Sequence, residues 1–208
     1  MDITDPRIEK YLKKLAPEGD PLLLEMEDLA LGRGFPIVDR LVGRLLFVIT
    51  RLKKPRLVVE LGSGFGYSAY WFARALPEGS TVVLTDRSEE NIGRARQTFE
   101  QAGMAQKAEF RAGDALDIAR EYRDIDILFI DMDKRDYPRA VKALIPHLAP
   151  HALIIADNSL WYGRMLEGVN DEETRGIEEF NRLMAGHPEF FTSIVPLRDG
   201  VLISLKVA

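Results

Sequence analysis

The chain has 208 residues, 46% of them hydrophobic and 29% charged, with a net charge of −5. That composition supplies a large core for one domain, and the acidic balance disfavours a general nucleic-acid binder, which carries a basic footprint. There is no Cys, which excludes disulfides, zinc–thiolate sites and cysteine nucleophiles.

The opening MDITDPRIEKYLKK lacks the apolar core of a signal peptide. The apolar stretch LVGRLLFVI contains Arg44 and is too short to span a bilayer. A cytoplasmic protein with no membrane partner is expected. Pro6 to Leu15 sets Ile8, Tyr11, Leu12 and Leu15 on one helical face. A second helix starts at Pro21 and runs to Ala30, with Gly32 and Gly34 breaking the pattern. A third covers Asp39 to Leu52 and ends before Pro55. Residues 1–34 read as a helical cap and 35–208 as the core of a single domain.

From Arg56 the pattern alternates. LVVEL, TVVLTD, AEFRAG, DILFID and ALIIAD read as strands. Between them lie helical segments: YSAYWFARAL, EENIGRARQTFEQA capped by Ser88 and stopped by Gly103, a short helix over Ala115 to Arg120, and one from Tyr137 to Leu148. After a helix over Glu172 to Ala185, FFTSIVPL and GVLISLKV flank Arg198-Asp199-Gly200, which reads as a hairpin turn. The expected class is α/β: a mostly parallel seven-stranded sheet, helices on both faces, and an antiparallel pair at the end. His147, His151 and His187 are scattered without metal-ligand spacing.

Two groups of residues carry chemistry. The loop Gly62-Ser63-Gly64-Phe65-Gly66 follows the first strand, with Glu60 just before it and Asp86 ending the next strand. Glycines there allow a close backbone approach to a ligand, and an acid at that place accepts from ribose hydroxyls. The third glycine of a dinucleotide fingerprint is missing: Tyr67 stands in its place. The other group is Asp131 and Asp157, which close two strands 26 residues apart, with Asn158 beside the second and Lys134 three residues after the first. Two carboxylates and an amide oxygen suit a hard divalent cation, and Lys134 adds a base. Singly, each Asp is also an ordinary strand end, Asn158 a turn former and Lys134 a surface charge.

These motifs resemble one family. The glycine loop with its preceding acid is similar to the first motif of class I S-adenosylmethionine-dependent methyltransferases. VVELGSGFGYSAYWFARAL, GDAL, DILFIDMDKRDYPRAV, ADNSLWYGRM and DGVLISLK follow the order and spacing of the metal-dependent catechol and caffeoyl-coenzyme A O-methyltransferases and their small bacterial relatives. The resemblance covers roughly Gly34 to the C-terminus and implies a Rossmann-like class I methyltransferase fold. It implies that Glu60, Gly62, Ser63, Gly64 and Ser68 hold the methionine end of the cofactor, Asp86 the ribose, and Asp114 and Ala115 the adenine. Asp131, Asp157 and Asn158 match metal ligands, Lys134 the catalytic base, and Asp131 and Asp133 neighbours of the cofactor. Two positions depart from the plant enzymes: Tyr162 replaces an Asn, and Val38 replaces a small hydroxyl residue, leaving only backbone or apolar contact there.

The implied activity is metal-dependent O-methylation of a small vicinal-dihydroxy aromatic, with S-adenosylmethionine as donor. Mg²⁺ is the expected ion, with Ca²⁺ or Mn²⁺ as alternatives. Trp161 and Tyr162 are candidates for a wall against a flat substrate, with core packing the other reading of Trp161. The resemblance also implies a homodimer. A transfer-RNA hydroxyuridine O-methyltransferase is the rival enzyme, drawing on Arg33, Arg40, Arg44 and Arg164. A non-catalytic S-adenosylmethionine-binding protein is the third reading.

Overall fold

Apolar runs alternating with amphipathic segments assemble one seven-stranded sheet in the computed structural model, which describes residues 3–207. Met1, Asp2 and Ala208, the ends of the expected 1–208 unit, lie outside the described residues. The strands are β1 (Leu57–Leu61), β2 (Thr81–Asp86), β3 (Ala108–Ala112), β4 (Ile125–Ile130), β5 (Leu148–Ala156), β6 (Phe190–Val195) and β7 (Val201–Lys206). Their order is β3-β2-β1-β4-β5-β7-β6. The first five are parallel, and β7 enters antiparallel between β5 and β6, as the hairpin reading expects.

The helices are α1 (Pro6–Leu15), α2 (Pro21–Arg33), α3 (Arg40–Lys53), α4 (Tyr67–Ala75), α5 (Glu89–Gln101), α6 (Ala115–Ala119), α7 (Tyr137–Leu144) and α8 (Glu172–Ala185). Strand alternation sends Val58, Val82, Leu84, Ile127 and Phe129 into one core with α2, α3, α4 and α5. Their neighbours Val59, Leu61, Val83, Leu128 and Ile130 pack on the other face with α6, α7 and α8. The two layers sandwich the sheet. Side chains of Asp20, Asp39, Ser88, Asp114 and Asp171 accept from first-turn N–H groups and set where α2, α3, α5, α6 and α8 begin. Among the described residues no helix is long and apolar enough to cross a membrane.

Two helix ends differ from expectation. α2 continues through Gly32 to Arg33 and closes on Gly34, whose φ of 60° gives the left-handed cap. The helix expected to reach Leu148 stops at Leu144. Pro146 has no N–H to continue it, so residues 145–147 tighten into a 3-10 turn and Leu148 opens β5 opposite Ile125.

Strand order reverses direction between β1 and β4, where a parallel sheet opens a crevice at its carboxyl ends. Gly62 sits in that crevice with φ 86°, and a Cβ on it would stand 2.4 Å from the carbonyl oxygen of Asp131. Only glycine allows β1 and β4 to deliver their loops this close together.

Candidate active site

Every residue expected at the site except Glu60 lines one cavity of about 620 Å³ over these strand ends. Glu60 is fully buried beneath it. The Ser68 hydroxyl, on the cavity wall, donates to Glu60 Oε1, and Oε2 is buried without a partner. Burial, reinforced by Asp131 and Asp86, pushes the Glu60 carboxyl up to about 8. Glu60 therefore stands behind Ser68 rather than on the cavity wall.

The glycine-loop half is braced from within. Asp86 Oδ2 accepts from Gly64 N at 3.1 Å, while Oδ1 accepts from Ser88 N at 2.8 Å and Asn91 Nδ2 at 3.1 Å. One carboxylate thus ties the loop to the start of α5 and still lines the cavity. Ser63 Oγ accepts from Thr85 N at 3.0 Å, fastening the loop to β2. Asp114 caps α6 and takes Arg87 Nη2 at 2.9 Å, which holds its carboxyl below the usual range. Arg135 does the same to Asp133. The Phe35 ring covers the loop: a Cβ on Gly64 would meet it at 2.8 Å.

The other half is assembled from distant segments. Ile130 pairs with Ala156 across β4 and β5, so the next residues, Asp131 and Asp157, emerge side by side. Lys134 Nζ donates to Asp131 Oδ1 at 2.9 Å, Met132 O at 3.1 Å and Tyr137 Oη at 3.0 Å. Those three acceptors match the three donors of an ammonium. α8 reaches this turn because residue 176 is glycine; a Cβ there would stand 2.3 Å from Lys134 O. Asn158 Nδ2 donates to Asp199 Oδ2 at 2.7 Å, which turns the amide oxygen away from that carboxylate.

Residues Asn158, Trp161 and Tyr162 take left-handed backbone conformations, with φ of 58°, 44° and 55°. The hairpin turn holds them there. Ser159 N donates to Gly200 O at 2.9 Å, and Leu160 N to Asp199 O at 2.7 Å. Trp161 lines the cavity and also packs on the α7–α8 core. Tyr162 is largely exposed at the rim. Val38 is buried as apolar packing, and the backbone contact falls one residue earlier: Arg198 Nη1 donates to Ile37 O at 2.8 Å.

The donor set fits a hard divalent ion. Asp157 Oδ1 is buried with no hydrogen-bond partner. Burial, then the charges of Asp131 and Asp199, push its carboxyl up to about 8. A buried acid in that position must take either a proton or a cation. Among the described residues no three His, Asp or Glu side chains form a metal cluster; the amide oxygen of Asn158 is the further hard donor beside Asp131 and Asp157 in the cavity lining. Sequence reading missed Tyr137, Arg198 and Asp199. Tyr137 had a signal, its spacing of three from Lys134 on a helical turn; the other two read only as turn residues.

Strand order, closing hairpin and the crevice between β1 and β4 define a class I methyltransferase fold. The chain belongs to the O-methyltransferase family, whose sequence model matches residues 37–207. A catechol O-methyltransferase of Niastella koreensis is 26% identical over 91% of this chain and 90% of its own length. Among solved structures, a methyltransferase from Geobacter sulfurreducens is 40% identical over the whole of both chains, with a TM-score of 0.89. An O-methyltransferase from Bacillus cereus, solved in complex with SAH, is 27% identical, with a TM-score of 0.87 over 96% of this chain and 97% of its own.

Proposed function

We propose that this O-methyltransferase moves a methyl group from S-adenosylmethionine to one hydroxyl of a small vicinal-dihydroxy aromatic. A divalent ion, Mg²⁺ first among candidates, would be held by Asp131, Asp157 and Asn158. The observation that carries this reading is the buried, partnerless Oδ1 of Asp157 next to a second carboxylate and an amide oriented by Asp199. When bound, the ion would supply Lewis acidity and a template for two adjacent substrate oxygens.

The chain's own residues do the rest. The Gly62–Gly64 backbone and Ser68 receive the amino-acid end of the cofactor, Asp86 the ribose, and Asp114 and Ala115 the adenine. The Bacillus relative, solved in complex with SAH, supports the choice of cofactor. Trp161 and Tyr162 wall the acceptor. The C–O bond forms as the S–C bond breaks, and sulfur keeps the electron pair to become a thioether. Lys134 Nζ would take the hydroxyl proton as the neutral amine, so its ammonium form must first release one proton to solvent; a cation held by Asp131 would favour that release by drawing off the lysine's counterion. In-line positioning supplies much of the remaining rate.

Metal-stripped protein, given catechol and labelled S-adenosylmethionine, should turn over only when Mg²⁺ is restored. Full turnover by Asp157→Ala in chelator would overturn the reading. Nothing specific favours a transfer-RNA acceptor: Arg33, Arg40 and Arg164 pair with Glu90, Glu27 and Asp171. We also infer a homodimer through the N-terminal helices. Ile8, Tyr11 and Leu15 are exposed on α1, a helix with no buried residue. Sedimentation as a monomer at micromolar concentration would remove that inference.

A further inference from the structure

A second cavity, of about 550 Å³, lies against α1, α2 and α3 and shares Phe35–Val38, Tyr67 and Arg198 with the first. Six cations line the two: Lys13, Arg40, Arg87, Lys134, Arg135 and Arg198. Five are committed to carboxylates. Lys13 holds Asp39 at 3.2 Å and Arg40 holds Glu27 at 2.5 Å. Arg87 holds Asp114 at 2.9 Å, Lys134 holds Asp131 at 2.9 Å, and Arg135 holds Asp133 at 2.5 Å.

Arg198 differs. Among the described residues no carboxylate lies within 4 Å of it, and its hydrogen bond goes from Nη1 to a main-chain carbonyl, Ile37 O. It stands where the cavities meet, beside Asp199 in the hairpin turn. Asp157, Asp199 and Asp39 act on it through their charges, but none forms an ion pair with it: Asp199 Oδ2 takes Asn158 and Asp39 takes Lys13. A guanidinium presents five donors in a planar fork. The bond from Nη1 leaves the opposite edge, Nε and Nη2, for a planar acid.

We propose that Arg198 is a specificity residue that receives a carboxylate carried by the methyl acceptor, so that the substrate class is an acidic vicinal-dihydroxy aromatic. This rests on the methyltransferase reading above. An acceptor without the acid leaves the Nε–Nη2 edge of a half-buried guanidinium without a direct carboxylate partner, and such omissions discriminate strongly.

The test is calorimetric titration of the protein loaded with S-adenosylhomocysteine and Mg²⁺, using catechol and 3,4-dihydroxybenzoate as probes, with turnover of both assayed in parallel. The acid should bind about 10–100-fold tighter than catechol. Arg198→Met should erase that ratio, and Arg198→Lys should keep part of it. Equal affinity of the wild-type protein for both probes would overturn the inference. So would an equal loss of both in Arg198→Met, which would mean that Arg198 only fastens Ile37. If the preference is present and depends on Arg198 but neither probe is methylated, the anion site stands and the methylation reading falls. If both are methylated without preference, the anion site alone falls.

Discussion

The two halves of the cavity handle charge in opposite ways. Around the glycine loop, Asp86 is answered by Gly64, Ser88 and Asn91, and Asp114 by Arg87. At the β4–β5 end, Asp157 Oδ1 and Asp199 Oδ1 are buried with no partner. The first half holds its shape before anything binds. The second holds buried carboxyl oxygens that must take either a proton or a cation. A binding platform can be built from self-satisfied groups, whereas a centre that activates an oxygen must keep some of its electrostatics unspent. Glu60 is the exception in the braced half: its burial pushes its carboxyl up to about 8.

The sharpest way to break the contrast is Asp157→Ala. Removing this proposed metal ligand should lower the methylation rate by about 10³-fold, while calorimetric affinity for S-adenosylhomocysteine stays within a few-fold. Equal collapse of both would show that the halves are not separable.

A second test reads the buried acids through pH. Glu60 and Asp157 have folded-state values of about 8, against ordinary values of 4.5 and 3.8. Between those limits the folded protein holds protons that the unfolded chain has released. In chelator, the contribution of these two groups to stability should therefore be fully present below about pH 4 and be lost as pH rises through 8. Glu60→Gln should flatten that fall, by on the order of a few kcal/mol at pH 8.5 in urea titrations. An unchanged slope would mean that Glu60 is ionised in the free protein.

The smallest expected effect is on the braced side. Asp86→Ala removes the proposed acceptor for the ribose hydroxyls and should weaken cofactor binding about 10–100-fold. Mg²⁺ affinity should be unaffected, since Asp86 belongs to the other half. A drop in Mg²⁺ affinity would show that the loop also shapes the metal corner.

The same division decides what could be read from the chain alone. The glycine loop, Asp86 and the Ser88 cap are contiguous and act through local geometry, so spacing reveals them. The strands betray themselves by alternation, and both faces of the sheet follow. Asp131 and Asp157 were visible as strand ends, but their adjacency depends on the register that sets Ile130 beside Ala156. Contacts across long stretches of chain left no local trace. Asp199 turns the amide of Asn158 from 41 residues away, and Arg198 reaches Ile37 across 161. Glu60 has the opposite lesson: its position beside the loop suggested direct contact, but its side chain lies under the cavity floor.

Gly176 has a consequence for engineering this fold. Glycine inside a helix costs roughly 0.5–1 kcal/mol relative to alanine, so a heat-resistance programme that replaces helical glycines would reach for it. At Gly176 the new methyl would meet the carbonyl of Lys134 at 2.3 Å, whereas at Gly93 in α5 it would find nothing within 4 Å. Gly93 is the place to stiffen a helix. At Gly176 the same swap would displace the turn that presents the proposed base, and the site would lose its alignment.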